Sequence, residues 1–156
     1  MVRQAIAASW ALMMLVALAL APQAGADADQ TVLIESGKVR CQVSANDVAR
    51  GGGPVVVCQQ VNGQAWAQAP WSAEKYSEHL NLAVVRAGGE FYWDGGNVRS
   101  IAGRSIEPIG QDIVLGVGQT YKANGWTFEV QENRTRISND KSGHGMFVAV
   151  GEVGLF

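Results

Sequence analysis

His144 sits between Gly143 and Gly145, with Ser142 and Asp140 just before it. An imidazole on a sharply turned backbone can reach a substrate as a general base. Together with Ser142 and Asp140 it supplies, on paper, the three residue types of a serine hydrolase. Triad members usually come from separate elements, and the chain has no Gly-x-Ser-x-Gly elbow. The preferred reading is structural: Asn139 and Asp140 bond to their own turn backbone, the glycines take left-handed conformations, and the ring ties the turn to a neighbouring carbonyl.

Trp66 and Trp71 are the other candidates for binding, since both flank the Ala69-Pro70 step in an expected loop. Aromatic rings in loops can stack on sugars or insert into an apolar partner. The preferred reading has them capping an open end of the sandwich. No metal or cofactor is expected. His79 is distant in sequence from His144, and no His, Cys or carboxylate spacing matches a zinc or calcium site. Gly51-Gly52-Gly53 lacks the Lys-Ser/Thr that completes a phosphate loop.

These residues belong to a chain of 156 that opens like an exported protein. Met1 to Gln4 carries one positive side chain, Ala5 to Ala21 is apolar but for Ser9, and Ala24-Gly25-Ala26 offers small residues for cleavage. The segment reads as a signal-peptide helix over residues 1–26, cut after Ala26 or Ala28; an uncleaved signal anchor is the alternative. Residues 27–156 then form one exported domain. The 12 basic residues, less Arg3, stand against 14 acidic ones. That weakly negative balance argues against nucleic acid as a partner. The only two cysteines, Cys41 and Cys58, are expected to pair in an oxidising compartment, either between neighbouring strands or between two sheets.

The elements that position these groups are short. Alternation in Lys38–Ser44 puts Val39, Cys41 and Val43 on one face. Pro54–Gln60 reads as the next strand, and Ser72–His79 as the one short helix. Gly88-Gly89 reads as a two-residue hairpin loop setting Val85 beside Tyr92 and Val84 beside Trp93, after which the chain turns into Val98–Ile101. Ile113-Val114-Leu115 reads as a buried strand. Asn124-Gly125 predicts a tight hairpin with Tyr121 opposite Phe128, and Trp126, Phe128 and Val130 inward. Thr135–Asn139 and Met146–Val150 continue this meander, which is expected at the centre of the domain. Many short strands with frequent glycine predict an all-β domain, a small single sandwich or open barrel of antiparallel strands with one disulfide.

Ser36-Gly37-x-Val39-x-Cys41, Leu115-Gly116-x-x-Gln119-Thr120-Tyr121, Gly125-Trp126 and the closing Asn139-x-x-Ser142-Gly143-His144-Gly145 together resemble small exported domains of actinobacteria, of mycobacterial type. The resemblance implies compartment and lineage, and supplies no catalytic residue. Related domains often carry further cysteines near the Gly125 and Thr135 strands; Phe128 and Ile137 stand there in this chain.

The expected function is that of a secreted, non-catalytic binding or interaction module. Its partner would be a cell-envelope component or another protein, with a membrane involved only if the N-terminal segment is retained. The alternatives are a small extracellular hydrolase using His144, and a membrane-tethered envelope component.

Overall fold

The computed structural model describes residues 28–75, 78–98 and 112–156. Two sheets form a β-sandwich. The first contains β1 (Gln30–Ile34), β2 (Val39–Ser44), β3 (Val55–Gln60), β4 (Leu82–Arg86), β5 (Phe91–Asp94) and β6 (Ile113–Val114), in the order β5-β4-β3-β2-β1-β6. The second is a plain meander of β7 (Thr120–Ala123), β8 (Trp126–Val130), β9 (Thr135–Asn139), β10 (Gly145–Ala149) and β11 (Glu152–Leu155). The expected meander is thus the middle of one layer, and the first sheet supplies the other. The signal-peptide segment lies outside the described residues, as does the run from Arg99 through Gln111.

Strand periodicity builds the core. Val32, Ile34, Val39, Cys41, Val43, Val56, Cys58, Ala83 and Val85 face inward from the first sheet, against Trp126, Phe128, Val130, Ile137, Met146 and Val148 from the second. Each lies on alternate positions of its strand, so a one-residue slip would turn the whole set away from the facing sheet. The Asn124-Gly125 hairpin has its expected register, with Ala123 opposite Trp126 and Tyr121 opposite Phe128. Both turn residues have positive φ, 51° and 80°, which is the twist-matched two-residue turn. Cys41 and Cys58 bond between neighbouring strands: they are directly opposite in the β2–β3 ladder, with Cα atoms 4.1 Å apart.

Four expectations need correction. In the β4–β5 hairpin, Val85 pairs with Phe91 and Val84 with Tyr92. The loop is three residues long, Ala87-Gly88-Gly89, closed by Arg86 N to Glu90 O, with Gly89 left-handed at φ 91°. A turn followed by a left-handed glycine shifts the register by one residue relative to a two-residue loop. Phe91 and Trp93 consequently pack against the core, while Tyr92 points outward.

The expected helix over Ser72–His79 is instead a narrow arm. Leu80 N donates to Pro70 O, Trp71 bridges His79, and Ser72 N donates to Glu78 O at 2.7 Å. So short a helix is marginal in water, and cross-pairing satisfies the same backbone groups while joining two rings. Residues 76 and 77 lie outside the described residues. The Ser72 hydroxyl accepts from the amides of Glu74 and Lys75, so the expected cap contact exists without the helix.

The apolar run Ile113-Val114-Leu115 is an edge, paired parallel to β1. Val114 is 66% exposed and Leu115 is buried. An apolar run by itself does not distinguish an interior strand from an edge strand.

Val98 is no strand residue. Its amide donates to Gln59 Oε1 at 2.8 Å, and its side chain joins Val55, Val57, Leu82 and Val84 in a second small cluster. The rest of the expected Val98–Ile101 strand lies outside the described residues.

Candidate functional site

The His144 region lies at one end of the sandwich, where the β9–β10 turn meets the β4–β5 hairpin. Asn139 is 3% exposed and holds the turn together. Its Oδ1 accepts from the amides of Lys141 and Ser142, and its Nδ2 donates to Gly125 O. This is the local side-chain turn that asparagine favours. Asp140 bonds elsewhere, accepting from the Thr127 hydroxyl. The Ser142 hydroxyl donates to Ala87 O, crossing to the other sheet, and accepts from His144 N at 3.2 Å. The His144 ring lies against Gly89, so close that a Cβ built on that glycine would stand 2.8 Å from Cγ.

The three triad residue types are therefore neighbours with separate engagements: Asp140 with Thr127, Ser142 with Ala87, and His144 with Gly89. The glycines around the histidine have structural reasons. Gly143 has φ 77°. Gly145 opens β10 so close to β9 that a Cβ there would come within 1.9 Å of Ile137 O, where no side chain fits.

The two tryptophans part company. Trp66 is 1% exposed, belongs to the main core, and donates its indole N–H to Asn81 O at 3.1 Å. A buried indole needs such a partner, and finding one identifies the ring as packing. Trp71 is 59% exposed. Its ring rests on the His79 imidazole, centroids 3.9 Å apart, directly across the bridge of the arm.

Below the arm is a cleft of about 570 Å³, lined on one side by Ser72, Glu74, Glu78 and His79 and on the other by Asn81 and Asn97. This is within the size range of small-ligand sites. Two fixed points shape it. Asn81 Nδ2 donates to Gly96 O, and Asn81 Oδ1 accepts from Gly96 N, so the turn after β5 is pinned to the root of the arm. His79 Nδ1 lies 2.6 Å from Ala69 O. A carbonyl can only accept, so Nδ1 carries the proton, and Nε2 of the neutral ring is an acceptor. Lys75 pairs loosely with Glu78 at 3.8 Å, leaving two carboxylates and one ammonium around the opening.

The sequence singled out Trp71 and gave no sign of the cleft residues Glu74, Glu78, Asn81 and Asn97. The one available signal was an aromatic residue beside Pro70, which hinted at an exposed arm. Among the described residues no group of His, Cys, Asp and Glu could hold a metal ion, and no helix is long and apolar enough to cross a membrane. Comparison with family models, curated proteins and solved structures found no match.

Proposed function

We propose that the chain is a secreted, non-catalytic binding module that takes its ligand in the cleft below the Trp71 arm. The observation that carries this reading is Trp71 itself: a large ring, mostly open to solvent, held in place by His79 beside a polar concavity. A large exposed ring next to a concave polar site offers a ligand an apolar surface to cover. Of the side chains that could have formed a hydrolytic site, Ser142 and His144 are engaged between the two sheets and Asp140 within the second one. The buried Cys41–Cys58 bridge is compatible with an oxidising, extracellular location, and the apolar opening of the chain and its resemblance to exported actinobacterial domains favour export.

Two measurements test the reading. Incubation with ester, peptide and glycoside substrate panels should give no turnover above that of the His144→Ala variant; turnover lost in that variant would establish the hydrolase instead. Mass spectrometry of the exported protein should find an N-terminus at Asp27 or Asp29. An intact Met1 terminus on membrane-bound material would replace the secreted module with a tethered one.

A further inference from the structure

We propose that the cleft below the Trp71 arm binds a neutral, polyhydroxylated ligand, a carbohydrate chain whose sugar face stacks on Trp71. The proposal rests on the binding-module reading and names the ligand chemistry.

His79 lines the cleft, and Trp71, which stands outside that lining, stacks on the His79 ring and extends the surface open to a ligand. An exposed indole presents a flat, electron-rich face that suits the C–H-bearing face of a pyranose as well as it suits another ring. The stack on His79 holds that face in place, so little side-chain freedom remains to be lost on binding. Hydroxyl groups both donate and accept, and the lining is mixed in the same way. Glu74, Glu78 and His79 Nε2 are acceptors, while Lys75 is a donor.

Charge narrows the class. Two carboxylates against one ammonium leave the opening with a slight negative balance that offers an anionic ligand no attraction. The carboxylates are well exposed, and Lys75 already lies near one of them, so the field available to select a cation is screened and weak. A neutral ligand that uses acceptors through its own hydroxyl protons fits both constraints. The cleft is open at the surface and continues past Gly63 and Asn97 into a second hollow of about 420 Å³ lined by Arg40, Gln59 and Asn62. A ligand longer than one sugar could extend along that line.

The test uses the whole exported protein and titrates it with soluble neutral gluco-, manno-, xylo- and galacto-oligosaccharides, followed by tryptophan fluorescence and calorimetry. Spermine and a sulfated oligosaccharide serve as cationic and anionic comparisons. The expected result is saturable binding of at least one neutral oligosaccharide, weakened on the order of tenfold in Trp71→Ala and partly retained in Trp71→Phe. Trp71 is exposed, and an unchanged near-ultraviolet dichroism and melting point will show that each variant is folded. Binding only to spermine or the sulfated probe would overturn the proposal, as would no binding by any neutral oligosaccharide, or binding indifferent to Trp71→Ala. These outcomes leave the binding-module reading standing. Cleavage of a bound oligosaccharide, seen as shortened products, would instead overturn that reading.

Discussion

The imidazole of His144 covers the backbone of Gly89, joining the turn between β9 and β10 to the hairpin between β4 and β5 across the sandwich. Gly89 has φ 91°, and a Cβ there would stand 2.8 Å from His144 Cγ. Gly89→Ala therefore meets two separate penalties, the left-handed backbone and the ring, and should cost about 2 kcal/mol or more in equilibrium unfolding. In a His144→Ala background the ring is gone and only the backbone strain remains, so the same change should cost about 1 kcal/mol less. Costs that simply add would mean that the two residues do not touch in solution.

The disulfide is placed to stabilise strongly. Cys41 and Cys58 are both fully buried, and their link closes a loop of sequence separation 17. Replacing both by alanine should lower the unfolding free energy by at least about 3 kcal/mol, from the lost constraint on the unfolded chain. Chemical denaturation measures it directly. A loss below about 1 kcal/mol would show that the strands hold that register without the bridge.

Tyr121 gives the fold a sensitivity to alkali. Burial pushes its phenol above the ordinary 10.0, and its hydroxyl donates to Gln30 Oε1 on the facing sheet. For an acid raised in the folded state, the unfolded chain ionises first. Its stabilising contribution is complete below pH about 10 and is lost as pH rises through the folded value. Wild-type stability should thus decline above that pH, and Tyr121→Phe should flatten the decline while lowering stability at neutral pH by about 1 kcal/mol for the lost hydrogen bond. An identical alkaline slope in the two proteins would remove Tyr121 as the cause.

Legibility in the sequence followed the range of the interaction. Asn124-Gly125 announced its hairpin and its register because positive φ at two successive positions is a local demand with few solutions. Gly88-Gly89 carried a similar signal but admitted two loop lengths, and the added left-handed residue moved every partner of β5 by one. Trp66 and Trp71 lie close together in the chain, yet one is sealed in the core and the other open, and their partners Asn81 and His79 are brought to them only by the arm between Pro70 and Leu80. The Ser142–Ala87 contact spans 55 residues and joins two sheets, so nothing local to either residue foretells it. The cleft was least legible, because its walls come from an arm that reads as a helix and a turn that reads only as a turn.

The central claim is that the Asn139–His144 turn is a clasp between the sheets and that binding takes place elsewhere. Residues selected for catalysis are commonly neutral or costly to stability, and replacing them leaves a protein as stable or more so. Clasp residues behave in the opposite sense. The unfolding free energy of the Ser142→Ala/His144→Ala double variant is the most direct measurement. A loss of about 2 kcal/mol is expected, from one hydrogen bond between turns of the two sheets and the packing of one ring. A double variant as stable as the parent, or more stable, would contradict the account.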